Sequence, residues 1–175
     1  AKVALSARTE AKLREVAGDA VNTRVLPLDI SDAEGLAAAY AALKAEWGGI
    51  DLVVFMAGTY FPVRAWELDA AKAKQLMDTN LFYGLAAVLP DMVERGGGGV
   101  AIVSSVAGYR GLPKSLLYGP SKAALINLAE SLYPELKMKG VAVSVINPGF
   151  VATPLTAQND FPMPFLMTPE DAARR

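Results

Sequence analysis

The run Ile50 to Met56, interrupted only by Asp51, is apolar on both of its faces and ends at Ala57-Gly58. A strand of that kind has no polar side to turn toward water, so it belongs inside a parallel sheet covered on both faces. Lys2 to Ser6, Thr23 to Leu28, Val100 to Ser104 and Val141 to Ile146 are short runs of the same type. Helix-length stretches separate them: Glu10 to Val16, the segment from Ser31-Asp32 to Trp47, Ala70 to Glu94, and Tyr118 to Met138. A last helix is expected from Thr168-Pro169, beyond a loop that carries Pro154, Pro162 and Pro164. Ser31 with Glu34 three places on has the spacing of a capping box, and Asp69 is expected to cap the helix at 70. Gly48-Gly49 and Gly96 to Gly99 should act as breaks. Repeated β-α-β alternation of this kind gives an α/β fold, a doubly wound parallel sheet with right-handed crossovers. With no internal repeat and no linker-like stretch, 1–175 reads as a single domain.

Composition removes whole classes of chemistry. The 175 residues include no cysteine and no histidine. Disulfides, thiolate nucleophiles, metal sites built on Cys or His, and Ser-His or Cys-His relays are therefore excluded, and no metal site is expected. Proton transfer must fall to Tyr, Lys, Asp, Glu or water. The formal net charge of −1 offers no general basic surface, so nucleic acid is not an expected partner. No apolar run approaches the roughly 20 residues of a membrane span. The charged opening Ala1-Lys2-Val3 does not resemble a signal peptide, and the expected location is cytoplasmic.

In doubly wound sheets ligands sit outside the carboxyl ends of the strands. The residues just past those ends are Arg8, Asp29, Ala57-Gly58, Ser105 and Pro148-Gly149, with Thr153 beyond. Tyr118 and Lys122 are four apart at the start of an expected helix, so both leave it on one face. A phenol titrates near pH 10, too high for easy proton exchange at neutrality. An ammonium one turn away would stabilise the phenolate and lower that pKa. Taken alone, the pair is also compatible with an ordinary helix face, and Ser105 with a turn or helix cap. At a strand end, however, the Ser105 hydroxyl could bond a substrate oxygen that gains charge during reaction.

Together these residues resemble the short-chain dehydrogenase/reductase family. In that family a strand ending in Ser-Ser precedes a Tyr-x-x-x-Lys helix, with the serine thirteen residues before the tyrosine. Here Ser104-Ser105-Val106-Ala107-Gly108 leads to Tyr118-Gly119-Pro120-Ser121-Lys122, and Ser105 stands thirteen before Tyr118. The likeness extends to Asn80 in Thr79-Asn80-Leu81, to Asp29, and to Asn147-Pro148-Gly149-Phe150-Val151-Ala152-Thr153, in family order across nearly the whole chain. The resemblance implies a Rossmann-type three-layer αβα fold and NAD(P)-dependent interconversion of an alcohol and a carbonyl compound. Tyr118 would be the acid/base and Ser105 would hold the substrate oxygen. Lys122 would lower the tyrosine pKa and bond the nicotinamide ribose, and Asn80 would hold a water of the proton relay. Ala57 and Gly58 would border the cofactor, Asp29 and Ile30 its adenine, and Pro148 and Gly149 its nicotinamide, with Val151 and Thr153 at the carboxamide. Enzymes that take NAD usually place an acid after the second strand. Ser6-Ala7-Arg8 has Ala7 at that place, and Arg8 can bind a 2′-phosphate in a bidentate manner. NADP(H) is therefore the favoured cofactor, with NAD(H) as the alternative.

The family also opens with a strand and a glycine-rich turn, Thr-Gly-x-x-x-Gly-x-Gly, that holds the pyrophosphate. No such turn occurs here; the first strand corresponds to the family's second, and Arg174-Arg175 falls early. The expectation is a subset of a longer chain, incomplete at both ends. Met56 stands where the family usually has the Asn of Asn-Ala-Gly. A reading from a different class is a catalytically silent Rossmann-type module that binds nucleotide or mediates assembly. For the enzyme, Phe161 and Phe165 in the segment 155–167 suggest an apolar lid over an apolar alcohol, ketone or aldehyde. The helices at 70–94 and 118–138 suggest a homodimer or homotetramer, although the same stripes would serve to cover the sheet.

Overall fold

The structure, a computed structural model, describes residues 1–80 and 83–174, the side chains of 78–80 and 83 excepted. Strands β1 (Val3–Ala7), β2 (Thr23–Pro27), β3 (Leu52–Phe55), β4 (Gly98–Val103) and β5 (Val141–Ile146) alternate with α1 (Glu10–Ala17), α2 (Ala33–Trp47), α3 (Ala70–Asn80), α4 (Tyr83–Arg95) and α5 (Tyr118–Lys137), and α6 (Pro169–Ala173) follows. Every strand pairing is parallel, as expected for a doubly wound α/β fold. The strands form two groups, β1 with β2 and β3-β4-β5 in that order. Val3 in β1 and Leu52 and Val54 in β3 keep about half their surface in solvent.

The core gathers on β4. Val100 and Ile102 on one face are 1% exposed and Ala101 on the other is 7% exposed, so this strand is covered on both sides. Leu85 and Met92 from α4, Leu125, Ala129 and Leu136 from α5, and Val141 from β5 close around it. Each fully buried aliphatic side chain of this kind contributes about 1.5–3 kcal/mol. A second cluster holds Leu76, Val63 and Leu117 together. Between α2 and α4 a buried carboxylate, Asp91, accepts the Tyr40 hydroxyl at 2.6 Å and Arg95 Nε at 2.9 Å, and lies 2.5 Å from Lys44 Nζ. Burial and the Asp91 bond push the Tyr40 phenol up to about 12, while Lys44 and Tyr40 hold Asp91 down to about 2. The Arg95 guanidinium then reaches the carbonyl of Ile50 at 2.8 Å, which ties α4 to the turn before β3.

Three local details depart from the sequence pattern. Asp32, not Ser31, caps α2, accepting the Gly35 amide at 2.9 Å, because the Ser31 hydroxyl is spent on Asp29 at 2.7 Å. Gly98 and Gly99, expected to break structure, begin β4, where pairing with Val141 and Ala142 overrides their weak strand propensity. The segment 70–94 is represented by α3 and α4, which lie on either side of 81–82. Asp69 does cap α3, accepting the Ala71 amide at 2.8 Å, and Gly48 (φ 83°) terminates α2 in the left-handed conformation that glycine tolerates.

Candidate active site

The ends of β4 and β5 and the first turn of α5 converge. Ser104 and Ser105 follow β4 directly. Ser104 Oγ donates to the carbonyl of Lys122 at 2.8 Å, stapling the strand end to the helix. Ser105 is 9% exposed, and its Oγ accepts the Ala107 amide at 3.1 Å at the start of a short 3₁₀ turn, Val106–Gly108. That turn rests on α5: a Cβ at Gly108 would lie 2.8 Å from the backbone carbon of Lys122. Only glycine permits so close an approach. The Val106 amide donates to the Pro148 carbonyl at 3.1 Å, which brings the Asn147-Pro148-Gly149 loop alongside.

Tyr118 opens α5, whose first turn is satisfied by Ser115. The buried Ser115 Oγ accepts the Gly119 amide at 3.0 Å. One turn on, Lys122 is 4% exposed. Its Nζ lies 5.5 Å from the Tyr118 ring centroid and donates to the carbonyl of Val103 at 3.1 Å. The geometry alters the electrostatic expectation. Burial in a low-dielectric site disfavours both charged forms. It pushes the Tyr118 phenol up, against an opposing hydrogen bond from Ser105, and drives Lys122 down to about 8. The lowering of Tyr118 by Lys122 that the spacing suggests is therefore not what this structure shows, because burial of the phenol is the largest influence on it. Lys122 still carries its charge at neutral pH.

The nucleotide end is more open. Arg8 is exposed beyond β1, and Asp29 beyond β2 accepts both the amide and hydroxyl of Ser31, at 2.9 and 2.7 Å. Those bonds, with the nearby Arg8 charge, hold the Asp29 carboxyl below its usual range. Ile30 is half-buried, and Ala57, Gly58 and Gly149 are exposed. Val151 pairs with Met167, and its carbonyl accepts the Thr156 hydroxyl at 2.6 Å. The same Thr156 oxygen accepts the Thr153 amide at 3.0 Å, so Val151 and Thr153 are locked into one turn. Met56, 68% exposed, lies just past the end of β3. The Asn80 side chain lies outside the described residues.

Several neighbours escape a sequence reading. The Tyr60 ring stands edge-on to Tyr118, with centroids 5.2 Å apart. Tyr60 follows Ala57-Gly58 by two residues, so the strand-end rule could have found it. Beside it a cleft of about 250 Å³ opens, lined by Tyr60, Arg64, Glu67, Lys114, Asp160 and Phe161 among others. Its charged lining differs from the apolar lid expected from the segment 155–167. Phe161 faces the cleft and packs edge-on to Phe150 at 6.0 Å, whereas Phe165 is 93% exposed and does not line it. No helix among the described residues is long and apolar enough to cross a membrane.

This arrangement can move a proton: a half-buried phenol, a hydroxyl that bonds it and a buried ammonium stand at the open end of a parallel sheet. Comparison with known proteins points the same way. The model of the short chain dehydrogenases matches residues 1–162. An uncharacterized oxidoreductase of Myxococcus xanthus is 44% identical over 155 residues, which cover 87% of this chain and 61% of that protein. The chain thus spans about three-fifths of that relative's length. A short-chain dehydrogenase from Streptomyces avermitilis superposes with a TM-score of 0.82 at 28% identity, covering 88% of this chain and 58% of that one. The structure of ElxO with NADP bound superposes with a TM-score of 0.87 over 98% of this chain and 77% of that one; at 23% identity this is a likeness of fold.

Proposed function

The chain belongs to the short-chain dehydrogenase family, and from that premise we propose that it exchanges a hydride between NADP(H) and an alcohol/carbonyl pair. The observation that carries the reading is the Tyr118–Lys122 turn of α5 set against Ser105 at the end of β4. In the direction of reduction, Tyr118 gives its phenolic proton to the carbonyl oxygen. Ser105 bonds the same oxygen and steadies the charge that develops on it. Lys122, buried and held by the Val103 carbonyl, is assigned to the nicotinamide ribose, whose hydroxyls its remaining N–H groups can bond. Asn80 is assigned the water of the proton relay.

A dinucleotide is the group we assign to these strand ends. A Cβ built at Gly149 meets nothing within 4 Å, which leaves room beside the Pro148 turn. The nicotinamide supplies the hydride when bound; the protein supplies position and electrostatics. Ala57, Gly58, Pro148, Gly149, Val151 and Thr153 are assigned to the cofactor's flanks, and Asp29 with Ile30 to the adenine. Arg8, exposed and with no acid at Ala7, favours the 2′-phosphate and hence NADPH over NADH, with ElxO's bound NADP a parallel within the fold. Purified protein given NADPH and a panel of aldehydes and ketones is expected to consume the cofactor. No consumption with any carbonyl, in protein that binds NADPH, would leave only a nucleotide-binding module.

A further inference from the structure

Tyr60 and Tyr118 stand edge-on, with ring centroids 5.2 Å apart and planes at 75°, an arrangement that aromatic pairs favour. One tie fixes the backbone behind both rings. Val63, just past Tyr60, bridges to Ser115, just before Tyr118, and its amide donates to the Lys114 carbonyl at 3.3 Å. Ser115 Oγ accepts the Gly119 amide at 3.0 Å, so the tie reaches the first turn of α5. Phe61, next to Tyr60, and Leu117, next to Tyr118, pack into one cluster with Val63 and the fully buried Leu76. The smaller core thus sets where two rings from distant segments meet.

Among the described residues, the groups that face Tyr118 are Ser105 beyond β4, which bonds its hydroxyl, Lys122 one turn along α5, and Tyr60 beyond β3. Ser105 acts at the hydroxyl, and the Lys122 ammonium is directed to the Val103 carbonyl. That leaves Tyr60 to hold the ring itself. The hydroxyl is the far end of the side chain, so a swing of the ring about the Cα–Cβ bond moves it furthest. Acid/base catalysis depends on where that hydroxyl lies. Burial and then the Asp160 charge push the Tyr60 phenol up, so at neutral pH Tyr60 is an uncharged wall and not a second base. We propose that Tyr60 is a positioning residue, whose ring holds the Tyr118 ring so that the phenolic hydroxyl stays aimed at the oxygen that Ser105 bonds. The proposal rests on the assignment of Tyr118 as proton donor.

The test compares wild type with Tyr60→Leu and Tyr60→Phe, each made also in the Tyr118→Phe protein, using NADPH and the aldehyde or ketone that wild type reduces fastest. Tyr60→Leu fills much of the space but has no aromatic edge. Its kcat and kcat/KM should fall together by about 3–10-fold, the value of an aromatic pair expressed as a rate. Tyr60→Phe keeps the ring and should recover most of that loss. In Tyr118→Phe no hydroxyl remains to be placed, so adding Tyr60→Leu should cost less than about twofold more. The same cost in both backgrounds, a loss confined to KM, or full turnover by Tyr60→Leu overturns the proposal. Tyrosine labelled with ¹³C at Cζ gives a readout independent of turnover, the Tyr118 resonance being the one lost in Tyr118→Phe. Burial and, after it, the Tyr60 charge push the Tyr118 phenol up against the Ser105 bond, so in Tyr60→Leu it should titrate at lower pH than in wild type. That shift, in a protein that reduces no carbonyl, supports the ring pair and sinks the proton-donor assignment. Carbonyl reduction with neither kcat nor the Tyr118 titration altered in Tyr60→Leu sinks the role of Tyr60 alone.

Discussion

The two strand groups of this sheet are built to different standards. Around β4, β5 and α5, the strand residues Val100, Ile102 and Val141 are at most 2% exposed, and Ser104 and Lys122 are buried with their polar atoms bonded. In β1 and β2 no strand residue is buried, and the groups beyond them, Arg8 and Asp29, stand in solvent. Proton transfer depends on heavy-atom placement to within about half an ångström, and the groups assigned to it in the proposed function sit on the buried strands and the helix packed on them. A nucleotide phosphate needs charge more than exact position, and an exposed arginine with a long flexible stem can supply that. On the function proposed here, chemistry belongs to the buried group of strands and cofactor choice to the exposed one.

The largest effect that would sharpen this contrast is thermodynamic. Ile102→Ala should cost about 2–5 kcal/mol, as buried aliphatic truncations do. Leu5→Ala in half-buried β1 should cost about 1 kcal/mol, and equal losses in chemical denaturation would erase the distinction.

Lys122 offers a second test of opposite sign. Its folded pKa of about 8 lies below the ordinary lysine value of 10.5. The unfolded chain therefore binds more protons than the folded one between those values, and stability should rise with pH across that window. Below it the buried charge imposes a penalty on the order of 3 kcal/mol. Lys122→Met should thus be more stable than wild type at pH 7 by a sizeable part of that amount, while losing turnover. The advantage should shrink as pH climbs from 8 toward 10; a variant less stable at pH 7 would show that Lys122 is a net structural asset.

Gly108→Ala follows in size. Its Cβ must enter the space of the α5 backbone at Lys122 and Ala123, which should cost about 1–3 kcal/mol and lower kcat with it. Unchanged stability and turnover would mean that the 3₁₀ turn after Ser105 is looser than its contacts imply. The smallest effect belongs to the exposed group. Arg8→Gln should weaken NADPH about tenfold and leave NADH within about twofold, the scale of one exposed charge-assisted contact. Equal weakening of both cofactors in a fluorescence titration would remove Arg8 as the discriminator.

Much of the buried group was legible because its signals are local. The Tyr118–Lys122 spacing needs only one helical turn, and Val141–Ile146 is a strand with the bounds its apolar run suggests. The same local logic failed where tertiary partners intervene. Ser31 could not cap α2 once Asp29 had claimed its hydroxyl, and Gly98-Gly99 became strand because β5 was there to pair with them. The cleft was the least legible part. Its Lys114–Asp160 pair joins residues 46 apart in sequence, and nothing in the run Leu155 to Met167 distinguishes Phe161, which lines the cleft, from Phe165, which faces solvent. The direction of the Tyr118 shift was also out of reach, since spacing reveals a neighbouring ammonium but not the burial of the phenol, which is the larger influence.

The most direct test of the assignment of proton chemistry to the buried group is kcat for Tyr118→Phe measured beside wild type, with NADPH binding followed in the same preparations. The account predicts a fall of about 10²–10⁴-fold, the usual contribution of a positioned acid/base, with an unchanged dissociation constant for the cofactor. A variant that reduces carbonyls at a rate within about twofold of wild type would contradict it.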